Sequence, residues 1–378
     1  MSKNWRFAVV VVALLAMVIL IYYGGRRQPG DAGDVTIGVI LPLTGNVASL
    51  GVPCYQGMLL AIEQYNSGQP DGARRVRLQS EDSAADAKSA VTAFRKLVTI
   101  DRVRAVLGPL TSTEALAVSP LADQHRVVLL SPGASTPRLT LAGEYVFRNE
   151  LSDKLGGERQ AELAYGRQGW RRAACVYMNN DYGNGLFNVF KTAFQALGGT
   201  LVSEQAFQPD TTDFRTHLAK VKASNADFLL VIAVDEVVNV LRQARELGIN
   251  LPLFTTPIFE NATYIKQLGA LADGVMYVYY GGYNPSEASG GSAEFYAAYR
   301  KRFSEDPTYY AALGYDAARL LVDALVRSAF NLETWRDNLA RTSHFPGVTG
   351  DSSFDRNGDI EKPVSLKSVR QGKFIFLE

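Results

Sequence analysis

The chain has 378 residues, 47% of them hydrophobic, 20% charged and 10% aromatic, with 39 Lys plus Arg against 38 Asp plus Glu. This balance excludes wholesale disorder, a collagen-like repeat and a coiled coil, and a net charge of +1 carries none of the basic excess of a nucleic-acid binder. Two Cys and three His leave little material for a metal cage or a disulfide framework.

The N-terminus opens with an uncharged apolar run, Phe7–Tyr23, preceded by Lys3 and Arg6 and followed by Arg26 and Arg27. As a helix it reaches about 26 Å, marginal for a membrane span. A retained anchor and a cleaved secretory signal share its basic start and apolar middle. Gly30-Asp31-Ala32 offers a poor cleavage site far downstream, and no Cys follows the run to carry a lipid. Either reading exports the remainder, with Gly24–Gly33 as a polar spacer. Basic residues on both flanks leave the orientation open.

From residue 35 short apolar runs alternate with amphipathic segments. Runs at 35–43, 76–82, 103–110, 127–133, 173–179, 201–208, 227–234, 252–258 and 274–281 are rich in Val, Ile, Leu and Tyr. Most end in turn-forming residues, so they predict buried strands. Between them, 51–65 places Met58, Ile62 and Tyr65 on one helical face. Segment 86–100 does the same with Ala90, Phe94, Leu97 and Val98, and 235–247 with Val237, Val240, Leu241 and Ala244. The alternation predicts parallel sheets covered by helices on both faces. It runs twice, over about 35–150 and about 170–280, and twin α/β domains imply a small-ligand cleft between them. A helix-rich stretch at about 291–342 follows, then a tail, 348–378, with FDRNGDI and two short strand-like runs.

Two strand ends are small and polar: Leu110-Thr111-Ser112-Thr113-Glu114 and Ala134-Ser135-Thr136-Pro137. Ligands of open parallel sheets bind beyond such ends, and a helix N-terminus offers free N–H donors to an anion. Ordinary helix capping accounts for the same residues. Enzymatic motifs are missing: there is no G-x-S-x-G, Walker A, H-E-x-x-H or G-x-G-x-x-G after a strand. His125, His217 and His344 are isolated, and Cys54 and Cys175 read as structural thiols. Asp355-x-Asn357-x-Asp359 has its Gly at the wrong place for a calcium loop and reads as a turn.

Taken in order, Ile37-Gly38-Val39, Pro42-Leu43-Thr44-Gly45, Gly57-x-x-x-Ala61-Ile62, Gly108-Pro109 and Ser131-Pro132-Gly133-Ala134 form one set of motifs. Asp181-Tyr182-Gly183-x-Gly185, Leu241-Arg242-Gln243-Ala244-Arg245, Gly314-Tyr315-Asp316-Ala317 and Phe354-Asp355-x-x-Gly358-Asp359 continue it. The ordered set resembles the leucine/isoleucine/valine-binding branch of type I periplasmic solute-binding proteins. The resemblance implies an α/β fold of two doubly wound parallel-sheet lobes joined by three crossing segments, after an N-terminal hydrophobic helix. Residues 1–33 become signal or anchor and linker. Lobe 1 takes 34–150 plus 282–345, and lobe 2 takes 151–281 plus 346–378.

It also implies a non-enzymatic protein without cofactor, periplasmic or otherwise extracytoplasmic, held at the inner membrane by residues 7–23 if they are retained. It captures an amino acid or related carboxylate by hinge closure and delivers it to an ABC permease; the same fold also serves membrane-anchored amide and amino-acid sensors. By the resemblance the ligand carboxylate meets Thr111, Ser112, Ala134 and Ser135. Leu50 and Leu110 line the side-chain pocket, and Tyr182 faces the cleft. The acidic residue that holds the ligand ammonium in amino-acid binders aligns with Pro257 here. Asp235 or Glu260 then replaces it, or else the ligand has no positive charge. The positions of the branch's disulfide fall on Ala85 and Thr111.

Overall fold

The computed structural model describes residues 33–281 and 291–377. The apolar run Phe7–Tyr23 lies outside the described residues, among which no helix is long and apolar enough to cross a membrane.

The first sheet holds β1 (Val35–Leu41), β2 (Val76–Asp82), β3 (Ala105–Leu107), β4 (Val128–Ser131) and β5 (Val146–Arg148). They pair in parallel in the order β2-β1-β3-β4-β5. The helices of this half are α1 (Ala48–Ser67), α2 (Ala87–Thr99) and α3 (Ser112–His125). A second unit repeats the plan with β6 (Arg172–Met178), β7 (Thr200–Phe207), β8 (Phe228–Ile232), β9 (Leu253–Thr255) and β10 (Met276–Tyr280). Its parallel order, β7-β6-β8-β9-β10, is the same winding. Its helices are α4 (Asp153–Glu162), α5 (Asp181–Ala196), α6 (Arg215–Ala223), α7 (Glu236–Glu246) and α8 (Ala262–Leu268). The expected strand runs all carry strands; β2 spans its whole run, β6 and β7 start one residue early, and the others are shorter. The sequence reading has no strand at β5, because three residues leave no periodicity to detect.

The helix-rich stretch forms α9 (Gly291–Phe303), α10 (Tyr309–Arg327) and α11 (Trp335–Ala340). It returns to the first sheet through backbone contact between helices. A Cβ on Gly57 of α1 would stand 2.0 Å from the Ala311 carbonyl oxygen of α10. One on Gly314 of α10 would stand 2.1 Å from the Cys54 carbonyl oxygen. Glycine at both positions lets α1 and α10 cross at a spacing that a side chain would prevent. The tail holds more strands than its sequence suggests. β11 (Phe345–Gly347), β12 (Gly350–Phe354) and β13 (Ile360–Glu361) make a small antiparallel sheet. β14 (Val364–Arg370) and β15 (Lys373–Phe376) add antiparallel strands to the edge of the second sheet beside β10. Asp355 makes the turn expected of FDRNGDI, its carboxylate accepting from the N–H groups of Asn357 (2.8 Å) and Asp359 (2.9 Å).

Buried polar ties join the segments that run between the two sheets. Lys362 Nζ donates to Asn149 O (2.8 Å), Asn149 Oδ1 (2.9 Å) and Thr349 Oγ1 (2.8 Å). Thr349 Oγ1 in turn donates to Asp316 (2.6 Å). Burial pushes the Lys362 ammonium down to about 8, opposed by the charges of Asp316 and Glu150.

Candidate functional site

Both parallel orders reverse direction at a switch point, between β1 and β3 in the first sheet and between β6 and β8 in the second. Loops at such points splay apart and leave a crevice beyond the carboxyl ends of the strands. Here the two crevices face each other across one cavity of about 660 Å³. Leu50, Leu110 and Ser112 line it from the first half; Asn180, Tyr182 and Asp235 line it from the second.

The first wall is set by the chain path after β3. Gly108 sits at φ +113, and a Cβ there would stand 2.0 Å from the Ile40 carbonyl oxygen. Only glycine allows this approach and this dihedral together. Three residues on, Thr111 caps α3 in a full capping box with Glu114. The box occupies the N–H groups of Thr111 and Glu114, so Ser112 and Thr113 present the first-turn N–H groups that have no intrahelical acceptor. Ser112 Oγ accepts from Thr136 N–H (3.3 Å), leaving its own hydrogen to donate.

The Ser135–Thr136 loop is held from below by Arg148, which is 1% exposed. Its guanidinium donates to the carbonyl oxygens of Ser135 (3.2 Å) and Thr136 (2.8 Å) and pairs with Asp359 (2.6 Å). Ser135 Oγ donates to the Asp153 carboxylate at 2.8 Å. Asp153 is the first residue of α4 and lines the cavity. Glu150 lines it three residues earlier; its Oε1 accepts from Tyr309 OH (2.9 Å) and Leu151 N–H (3.2 Å). Burial pushes the Glu150 carboxyl up to about 8, against the charge of Lys362 and the bond from Tyr309. Burial pushes Asp153 up to about 7, against the bond from Ser135 and the charge of Arg148.

The opposite wall belongs to the second half. Asn180 caps α5, and Asp235 stands at the start of α7. The Asp235 carboxylate accepts from Ser49 Oγ at 3.1 and 3.0 Å and from Tyr264 OH. Asn46 bonds Asp210, and Arg138 pairs with Asp181 at 2.7 Å. Ser49, Asn46 and Arg138 come from the first half and their partners from the second, so these contacts hold the walls together at the rim.

Of the residues singled out in the sequence, Leu50, Leu110, Thr111, Ser112, Ser135, Tyr182 and Asp235 line this one cavity. Ala134 and Glu260 do not. Ala134 is wholly buried in the core and gives its N–H to Ser131 Oγ (3.0 Å). Glu260 is buried in the second half, where Lys367 Nζ stands 2.6 Å away and Tyr277 OH donates to it. Its charge is thus matched inside the second half, away from the cavity lining. Sequence reasoning missed Glu150 and Asp153. Their only signal is the acidic pair in Arg148-Asn149-Glu150-Leu151-Ser152-Asp153, directly after the short strand β5.

Comparisons with known proteins bear on the family and the fold. A family model described as "Periplasmic binding protein" matches residues 34–373. The Leu/Ile/Val-binding protein BraC3 of Rhizobium johnstonii is 28% identical over 353 residues, spanning 91% of this chain and 94% of that one. The leucine binding protein LivK of Thermotoga maritima superposes with a TM-score of 0.84 at 28% identity, over 91% of this chain and 98% of that one. The branched-chain amino acid transporter substrate binding protein LivJ of Streptococcus pneumoniae, solved with isoleucine, gives a TM-score of 0.82 at 28% identity, over 90% and 97% of the two chains.

Proposed function

Because the chain belongs to the periplasmic binding protein family, we propose that it captures a small solute of the amino-acid class in the cavity between its two halves, closes on it by hinge motion, and delivers it to an ABC permease. The observation that carries this reading is the meeting of two switch-point crevices in one cavity of about 660 Å³, the size range of small-molecule sites. The relatives named for leucine or for leucine, isoleucine and valine support the solute class. Family membership makes the protein extracytoplasmic; tethering by residues 7–23 is a further part of the proposal.

The division of roles follows from chemistry. Leu50 and Leu110 offer an apolar wall to an aliphatic side chain. The N–H groups of Ser112 and Thr113, with the Ser112 hydroxyl, suit a carboxylate, because the end of a helix dipole and neutral donors stabilise an anion without a counter-charge. Tyr182, Asn180 and Asp235 close over the solute from the second half. Binding stores energy in closure rather than in any bond made or broken.

The test is a thermal-shift screen of the full-length chain against the twenty amino acids, their amides and aliphatic acids. A true solute stabilises the folded chain with the logarithm of its concentration, by about 2.7 kcal/mol at a hundred times its dissociation constant, and raises the melting temperature accordingly. A screen in which none of these compounds moves the transition defeats the reading.

A further inference from the structure

The cavity's charge is one-sided. Glu150, Asp153, Asp210, Asp235 and Glu236 line it, and no Lys or Arg stands among the described lining residues. Three of these carboxylates are bonded into the walls: Asp210 by Asn46, Asp235 by Ser49 and Tyr264, and Glu236 by the N–H groups of Asp210 and Val234. Glu150 and Asp153 differ. Each is at least 95% buried, and each has one carboxylate oxygen bonded within the protein. The second oxygens, Glu150 Oε2 and Asp153 Oδ1, accept no hydrogen bond from described residues.

A second feature points to what these oxygens meet. Tyr182, Tyr280 and Tyr310 line the cavity in the same quarter, close enough for Glu150 and Asp153 to act on all three hydroxyls. Tyr310 is 8% exposed and its hydroxyl makes no hydrogen bond to described residues. Thr256 Oγ1, also on the cavity wall, stands beside the Tyr182 hydroxyl. Two half-satisfied carboxylates among tyrosine side chains match the needs of an ammonium group, which takes hydrogen-bond acceptors and aromatic neighbours together. Among the described residues no group of three or more His, Cys, Asp and Glu side chains is arranged to hold a metal ion.

We infer that Glu150 and Asp153 together hold an ammonium group of the bound solute, so that the protein selects solutes carrying an amine. The inference rests on the proposed solute-capture reading and adds the group that decides specificity. It places the ammonium at the segment leaving β5, where the chain passes from the first half into α4 of the second, and it rejects the alternative that the missing acid at Pro257 means an uncharged ligand. The buried carboxylates cost the empty protein stability, and an ammonium restores it.

The test uses calorimetry on the full-length chain with three probes: the tightest-binding amino acid from the screen, its des-amino acid, and putrescine. The expected result is binding of the amino acid with the des-amino acid at least 100-fold weaker. Glu150→Gln and Asp153→Asn each weaken amino-acid binding at least 10-fold while the melting temperature without ligand is kept or raised, and Glu150→Asp restores part of the affinity. Des-amino acid binding as tight as the amino acid, or full affinity in both amide variants, overturns the inference and leaves solute capture standing. A chain that binds putrescine but no amino acid keeps the ammonium site and overturns the amino-acid reading. A chain that binds no probe overturns both.

Discussion

Ser135 gives its hydroxyl hydrogen to Asp153, 2.8 Å away, inside the cavity wall. The hydroxyl that the sequence resemblance offers to a ligand carboxylate therefore faces a carboxylate of the protein instead. In the proposed reading this bond leaves the ligand carboxylate to Ser112 and the first turn of α3, and Asp153 to the solute's ammonium.

The two serines should accordingly separate. Ser112→Ala removes a neutral hydroxyl donor and should weaken amino-acid binding about fivefold, near 1 kcal/mol, with little change in folding stability. Ser135→Ala leaves a buried carboxylate without its donor and should lower folding stability by about 1–3 kcal/mol. Urea denaturation and calorimetry on both variants check the split. Equal effects on stability would contradict it.

The acid pair sets a pH dependence. Burial raises both carboxyl groups in the folded state, from 4.5 to about 8 for Glu150 and from 3.8 to about 7 for Asp153. Lys362 and Tyr309 face Glu150, and Arg148 and Ser135 face Asp153. Tyr182, Tyr280 and Tyr310 surround the pair. Between the unfolded and folded values the native state holds the extra protons, so this contribution is complete at low pH and lost as pH rises through about 7–8. The melting temperature of the unliganded protein should fall from about pH 5 to about pH 8, and the Glu150→Gln/Asp153→Asn double variant should flatten that slope. Affinity for an amine should move oppositely, tightening over the same range as the two acids ionise.

Arg148 ties β5, the Ser135–Thr136 loop and Asp359 into one buried cluster. Arg148→Met should cost about 3–5 kcal/mol, because Asp359 and two carbonyl oxygens lose their partner. Restoring part of that loss with Asp359→Asn in the same chain would identify the unpaired charge as the cause; chemical denaturation of the single and double variants measures it.

Gly156 sits one turn after Asp153 in α4, where a Cβ would stand 1.8 Å from Tyr280 OH. Gly156→Ala should push the Tyr280 ring out of the cavity wall. Helix propensity favours alanine by up to about 1 kcal/mol, so a net destabilisation measures the clash. Binding of the amino acid should weaken more than stability does, and Tyr280→Phe in the Gly156→Ala background should recover part of it.

Local pattern carried most of the fold. The strand runs from 35–43 to 274–281 and the helices between them are legible because buried parallel strands and amphipathic helices leave short-range signatures. The strand-end loops at 108–112 and 131–136 are legible for the same reason: turn chemistry is local. The stretch 146–153 was not. Three residues of β5 give no period, so the acidic pair behind it has no address in the sequence. Tyr309 reaches Glu150 because the glycines of α1 and α10 bring α10 onto the first half.

Asp235, Glu260, Glu150 and Asp153 are alike as letters, and their roles differ through distant neighbours. Glu260 is matched by Lys367 across 107 positions, Asp235 by Ser49 across 186, and Glu150 meets Tyr309 across 159. The sequence by itself determined two doubly wound units with polar strand ends facing a cleft. Tertiary structure alone decided which carboxylates in that cleft stay unsatisfied, because burial and long-range partners, not residue type, set whether a charge is already paired.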